Sequence, residues 1–174
     1  MTDDAVRRLV LLRHAKAEAG GRAGDQVRPL ALAGRRQCIR IAGALTGHDL
    51  VPEFVLCSSA VRTLQTWVLV RGGLGHTEID LQVSDGLYQG GAAEVRTALR
   101  AIDPAVRTVL VVGHEPTMSA LAAALAGPGS GDAAVAQVRA GMSTGAFAVL
   151  ELDGAWNDLA RGAARLREVI SPRD

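Results

Sequence analysis

The feature that most constrains this chain is a local plan used three times: a short apolar run that stops abruptly at polar or charged residues. The run Arg8–Leu12 (RLVLL) leads into Arg13 and His14, Phe54–Cys57 (FVLC) into Ser58 and Ser59, and Thr108–Val112 (TVLVV) into Gly113 and His114. Short Val- and Leu-rich runs without polar alternation predict strands covered on both faces, as in parallel sheets flanked by helices. Segments of helical spacing lie between them. Over Leu32–Leu45 the residues Leu32, Ile39, Ala42 and Leu45 recur near the helical period, with Gly47 as a stop, and over Ala60–Val70 the residues Val61, Leu64 and Val68 share one face. These are read as the faces that cover the sheet. The expected fold is a three-layer α/β/α arrangement with a mixed, largely parallel central sheet.

The rest of the chain fits this plan. Residues 18–29 are Gly- and charge-rich and read as a loop. Thr77–Leu81 reads as a brief strand before the turn Ser84-Asp85-Gly86, Ala92–Ile102 as a helix ended by Asp103-Pro104, and Thr117–Leu125 as a helix after the break at Gly113–Pro116. Gly127–Gly131 (GPGSG) reads as a connector, Gly145–Leu152 as a strand, and Asp153-Gly154 as a hairpin-type turn. The tail from Ala164 to Ile170 suits an edge strand or a helix equally. With only five aromatic residues, the core must be built from Val, Leu, Ile and Ala.

Length and charge narrow the function. A chain of 174 residues fits one domain, residues 1–174, with little left over for a cap, so a shallow site is expected. A net charge of +1 with no basic run argues against nucleic acid as a partner. No apolar stretch approaches the roughly 18 residues of a membrane span, and Leu9–Leu12 is too short for a signal core, so neither export nor a membrane is expected. Cys38 and Cys57 lack CxxC spacing and read as reduced thiols of a cytoplasmic protein.

In an open parallel sheet the carboxyl ends of the strands share one edge, where ligands bind, and His14, Arg13, Arg62 and His114 would converge there. Two guanidiniums offer forked donors for phosphate oxygens. Positive charge beside a histidine disfavours imidazolium and preserves the lone pair of a nucleophile. One imidazole could then attack phosphorus while the other stabilises the oxygens of the transferring group, with no metal and no cofactor. Helix N-termini after Ser58 and Pro116 would add N–H donors.

The residues at these three places resemble those of a known family. Leu12-Arg13-His14-Ala15-Lys16 is similar to the opening signature of the histidine phosphatase superfamily, whose members include the cofactor-dependent phosphoglycerate mutases. Ser58-x-x-x-Arg62-x-x-Gln65-Thr66 and Gly113-His114-Glu115-Pro116 resemble its second and third blocks, in the same order and across nearly the whole chain. The short length, Ala15 and the segment Asp25-Gln26-Val27-Arg28-Pro29-Leu30 point to the SixA-type phosphohistidine phosphatase branch. The resemblance implies a phosphoglycerate mutase-like fold, His14 as the phosphorylated nucleophile, Arg13 and Arg62 as phosphate ligands and His114 as the second pocket histidine. Arg28 and Asp25 would lie at the rim. The general-acid Glu of larger members has no clear counterpart in Asp85-Gly86-Leu87-Tyr88-Gln89, leaving Asp85, Asp25 and Glu18 as candidates. Such an acid matters less for a protonated phosphohistidine, which leaves readily.

Other readings weigh less. His114 with Glu115 lacks an evident third metal ligand. Cys57 and Arg62 have one residue too few between them for a cysteine-phosphatase loop, Ser58 lacks the G-x-S-x-G elbow, and neither Gly20-Gly21 nor Gly127–Gly131 carries the Lys and Ser/Thr of a P-loop. His48 and His76 are expected in solvated turns, and Lys16 and Glu18 as surface charge. The expected function is hydrolysis of protein phosphohistidine. The alternatives are a phosphatase for sugar phosphates or nucleotides and a non-catalytic phosphate-binding module. Oligomeric state is not legible.

Overall fold

Alternate residues of the three apolar runs face opposite sides of one sheet. In the computed structural model, which describes residues 6–75 and 78–172, Leu9 and Leu11 of β1 (Arg7–Arg13) enter one hydrophobic cluster while Val10 and Leu12 enter the other. Leu56 of β2 (Phe54–Ser58) opposes Val55 and Cys57, and Val109 and Val111 of β4 (Thr108–Gly113) oppose Leu110 and Val112 in the same way. All of these side chains are fully buried. Each contributes about 1.5–3 kcal/mol relative to exposure, which is why these strands tolerate no polar alternation.

The sheet order is β3-β2-β4-β1-β5-β6, with β3 (Asp80–Ser84) and β5 (Phe147–Leu152) beside the central strands and β6 (Arg165–Ile170) at the far edge. β3, β2, β4 and β1 run parallel, whereas β5 is antiparallel to β1 and β6 to β5. One face is covered by α1 (Leu32–Gly47) and α2 (Val61–Gly73). The other is covered by α3 (Gly86–Gln89), α4 (Ala92–Arg100), α5 (Thr117–Leu125) and α6 (Asp132–Ala140). The mixed, largely parallel three-layer sandwich expected from the sequence is therefore present. Among the described residues no helix is long and apolar enough to cross a membrane.

Several local expectations are corrected. The sheet-facing sides of α1 and α2 are only partly the faces read from the apolar spacing: Ala42 and Leu45 are buried and Leu64 is half-buried against the core, but Leu32, Ile39 and Val68 are exposed, while Gly34, Cys38, Ile41, Thr63, Thr66 and Trp67 also face inward. The inward side of α2 serves the site as well as the core, so polar Arg62, Thr63 and Thr66 occupy positions where periodicity looks for Leu or Val. α6 has no counterpart among the elements expected from the sequence, because its Ala134 and Val138 supply only a narrow buried stripe. β3 begins at Asp80, and the strand signal at Thr77 falls outside the described residues. Asp153-Gly154 is no hairpin turn: residues 153–164 carry a 3₁₀ turn, Trp156–Asp158, whose Trp156 is fully buried, before β6 begins.

Candidate active site

Parallel register sets the framework. Arg13 lies opposite Gly113 and Cys57 opposite Val112, so the chain leaves β1, β2 and β4 at one level of one edge, at His14, Ser58 and His114. The His14 N–H donates to the Gly113 carbonyl at 3.0 Å, tying two of these exits together.

The second sequence block is a set of fasteners around this edge. Thr66 Oγ1 accepts from the Ala15 N–H at 3.1 Å and donates to the Arg62 carbonyl at 2.7 Å. Gln65 Oε1 accepts from the Leu30 N–H at 2.8 Å, and Thr63 Oγ1 donates to the Ser58 and Ala60 carbonyls. Each is a polar group satisfied in a buried or half-buried place, where losing its partner costs about 1–3 kcal/mol. Gly34 completes the frame. A Cβ there would sit 2.0 Å from the Lys16 carbonyl oxygen, so only glycine lets α1 lie directly on the exit of β1.

Within the frame, His14 Nδ1 is 2.7 Å from the Ala15 carbonyl, which can only accept. The proton therefore sits on Nδ1, and the lone pair sits on Nε2, where Arg62 Nε donates at 3.3 Å. His14 and Arg62 are buried, at 7% and 5% exposure. Burial, opposed by the Ala15 hydrogen bond and reinforced by Arg62, Arg13 and Arg28, lowers the His14 pKa to about 4. His14 is thus a neutral imidazole at neutral pH.

His114 faces it, with ring centroids 5.4 Å apart. Arg62 Nη2 lies 3.2 Å from His114 Nδ1, and a guanidinium has no acceptor, so Nδ1 carries the lone pair and Nε2–H donates to Ser58 Oγ at 2.7 Å. Burial, then Arg62 and His14, push the His114 pKa down to about 4, with Asp25 acting in the opposite sense.

Asp25 anchors the guanidiniums. Arg62 donates through Nη1 to its carbonyl at 2.8 Å and through Nη2 to Oδ2 at 2.9 Å, Arg28 Nη2 pairs with Oδ1 at 3.0 Å, and the Tyr88 hydroxyl donates to Oδ2 at 3.1 Å. Desolvation pulls the Asp25 pKa upward, but the hydrogen bonds from Arg62 and Tyr88 and the two positive charges outweigh it and hold the carboxyl below its ordinary value. It is ionised at neutral pH.

Of the residues singled out in the sequence, His14, Arg62 and His114 are in direct contact, and Asp25 and Arg28 are joined to them by ion pairs. Arg13 adds positive charge near His14, but its Nη1 donates to the Met142 carbonyl at 2.7 Å. Asp85 is exposed and its side chain has no described contact with these groups, whereas Tyr88 of the same turn reaches both Asp25 and the His114 ring, at 5.7 Å between centroids. Glu18 is also exposed, its carbonyl accepting from Arg28 Nη1 at 3.3 Å.

At the helix starts expected to face an anion, some of the N–H groups already have partners. Val61 N–H donates to the Gln26 carbonyl, and Glu115 takes the Ser119 N–H at 3.1 Å and hydroxyl at 2.6 Å. Glu115 is thereby an N-terminal cap for α5. The Cys57 thiol is pushed up to about 12 by burial, far from a thiolate nucleophile. His48 is exposed, within 3.5 Å of Glu168, and His76 lies outside the described residues.

Comparison with known proteins agrees with this architecture. A candidate phosphohistidine phosphatase SixA from Nakamurella multipartitia has a TM-score of 0.83 and 37% identity, with 97% of this chain and 98% of that one covered. A protein histidine phosphatase SixA solved with tungstate has a TM-score of 0.76 and 28% identity over 95% and 97% of the two chains. An uncharacterized protein of Mycobacterium tuberculosis is 38% identical over 165 residues, 93% of this chain and 100% of the relative. No family model matches. Fold and relatives define a phosphatase with a phosphoglycerate mutase-like α/β sandwich. The chain belongs to the histidine phosphatase superfamily, in its SixA-type branch.

Proposed function

We propose that this chain is a single histidine phosphatase domain that hydrolyses protein-borne phosphohistidine by way of a phosphorylated His14. The observation that carries the proposal is the fixed tautomer of His14: Nδ1–H is committed to the Ala15 carbonyl, which puts the lone pair of the neutral ring on Nε2, beside the Arg62 guanidinium. That lone pair attacks phosphorus, the P–N bond to the substrate imidazole breaks, and the imidazole departs with its own proton. Water then attacks the phosphoryl group on His14, releasing inorganic phosphate and restoring Nε2. Arg62, Arg13 and Arg28 bind the phosphoryl oxygens, and His114 donates to them in the transition state. Two imidazoles and the guanidiniums suffice for this chemistry without a metal.

The choice of substrate rests on the carboxylates. Asp25 is ionised and saturated by Arg62, Arg28 and Tyr88, and Glu115 is spent capping α5, so a leaving group that brings its own proton fits best. The SixA names of similar structures support the same substrate class. The free, buried thiols of Cys38 and Cys57 fit a reducing cytoplasm. The test is a comparison of kcat/KM on a phosphohistidine protein with that on a panel of sugar phosphates and nucleotides. A preference of about 100-fold or more for the protein is expected, and a comparable preference for a metabolite would transfer the assignment to a small-molecule phosphatase. No turnover of any phosphate, an aryl phosphate included, would leave a phosphate-binding module.

A further inference from the structure

The apolar residues of α1 and α2 that point away from the core form an ordered surface. On α1, Leu32, Arg35, Arg36 and Ile39 follow at helical spacing on one outward face, and on α2 Val68 and Arg71 are exposed beside Leu64, which is half-buried against the core. Leu32, Val68 and Ile39 are 64%, 66% and 73% exposed, the three most exposed large apolar side chains among the described residues. Between the two stripes runs a groove of about 300 Å³ lined by Arg35, Leu64, Gln65, Val68 and Leu69.

The charge of this face is one-sided. Neither α1 nor α2 contains an Asp or Glu, yet the whole chain carries 18 acids against 19 bases, so the acids have been kept off this layer. Arg35, Arg36 and Arg71 are exposed, and none forms an ion pair among the described residues. The face also adjoins the candidate active site. Gln65 both lines the groove and holds the Leu30 N–H at the rim, and Val68 lies six residues beyond Arg62 on the same helix, about 9 Å along its axis. A partner covering about 800 Å² around the pocket reaches about 16 Å from its centre, beyond the axial offset of Val68 from Arg62.

We infer that the outer face of α1 and α2 is the docking surface for the protein that carries the phosphohistidine, and that the docked element is an acidic amphipathic helix seated in the Arg35–Val68 groove. The inference rests on the site being a phosphatase for protein-borne phosphohistidine. The apolar stripes match the ridge of such a helix, and its acidic flanks match Arg35, Arg36 and Arg71. A second copy of this chain does not fit, because a two-fold interface would place these arginines against themselves. A flat bilayer leaves the groove unfilled.

The experiment uses three substrates: a chemically phosphorylated acidic helical-bundle protein with one surface histidine, a short neutral phosphohistidine peptide, and p-nitrophenyl phosphate. The variants are Ile39→Glu and the double change Arg35→Glu with Arg36→Glu, none of them in the pocket and all at exposed positions, with unchanged circular dichroism and melting as the folding control. The expected result is a KM for the protein raised tenfold or more, with kcat on the protein and both constants on the peptide and p-nitrophenyl phosphate within about twofold. An unchanged KM for the protein, or an equal loss on all three substrates, would overturn the docking surface while leaving the phosphatase reading intact. A wild-type protein that turns over p-nitrophenyl phosphate but neither phosphohistidine substrate would overturn the underlying reading and the docking surface with it. Sedimentation with phosphatidylglycerol vesicles that is abolished by the same variants, together with an unmoved protein KM, would reassign the face to a membrane.

Discussion

Ser58 Oγ lies 2.7 Å from Nε2 of His114, and with Arg62 Nη2 on the opposite ring nitrogen at 3.2 Å the serine receives the imidazole proton. Ser58 is fully buried. A hydroxyl can reverse its role by rotating, so Ser58 is suited to let His114 exchange the Nε2–H tautomer for the Nδ1–H tautomer that donates to a phosphoryl oxygen. Replacing Ser58 by Ala strands the Nε2–H. The expected outcome is a loss of about 1–3 kcal/mol in stability and of tenfold or more in kcat, with Thr restoring part of both. Imidazole ¹⁵N spectra of the free protein should show His114 as Nε2–H, and finding Nδ1–H instead would refute the assignment.

On the proposed mechanism, Asp25 competes with substrate for Arg62. Changing Asp25 to Asn removes a charge 2.9 Å from the guanidinium while keeping the shape of the side chain. Inorganic phosphate should then inhibit more strongly, on the order of tenfold, because opposite charges this close near a surface interact by a few kcal/mol before screening. kcat should fall as Arg62 loses its anchor. Weaker phosphate inhibition in the variant would contradict the charge argument.

The two histidines make stability depend on acid. Their folded pKa values, about 4, lie below the ordinary histidine value of 6.5, so below pH 6.5 the unfolded chain binds protons that the folded chain refuses. Their contribution is complete above 6.5 and disappears as pH falls toward 4. His14 alone is expected to remove about 3 kcal/mol across that window. Urea denaturation at pH 7 and pH 4.5, with ring titration by NMR, checks this. Midpoints near 6.5 for His14 and His114 would rule it out.

Two glycines of α1 should respond to alanine with opposite signs. Gly43 faces open space, with nothing within 4 Å of where a Cβ would stand, so Gly43→Ala should stabilise by up to about 1 kcal/mol through helix propensity. Gly34→Ala offers the same propensity, but its Cβ meets the Lys16 backbone oxygen at 2.0 Å, and neither helix nor strand exit can yield cheaply. A destabilisation of about 2 kcal/mol or more with reduced activity is expected. Equal melting shifts for the two variants would contradict the close approach.

The strands that place the site are legible in the sequence because full burial on both faces removes polar residues from them, and His14, Arg62 and His114 are legible because each follows such a run within two to five residues. Helix faces are not. In α2, Arg62, Thr63 and Thr66 take inward positions where hydrophobic residues are looked for, so of the apolar positions Val61, Leu64 and Val68 the first two are only half-buried and Val68 is exposed. β6 is ambiguous because a register shift opposite Val149 and Leu150 breaks its alternation. Tyr88 and the Ser58–His114 bond are products of tertiary approach across separate elements, with no local pattern to announce them. Chain position alone does not separate the acid candidates, and only the ion pairs around Asp25 reveal that it has no proton to give.

The most direct measurement is to quench the enzyme during turnover of a phosphohistidine protein and locate the acid-labile phosphate by mass spectrometry. Phosphate on Nε2 of His14, absent in His14→Ala, is expected. Phosphate on His114, on Cys57 or on no residue despite full turnover would contradict nucleophilic attack by His14.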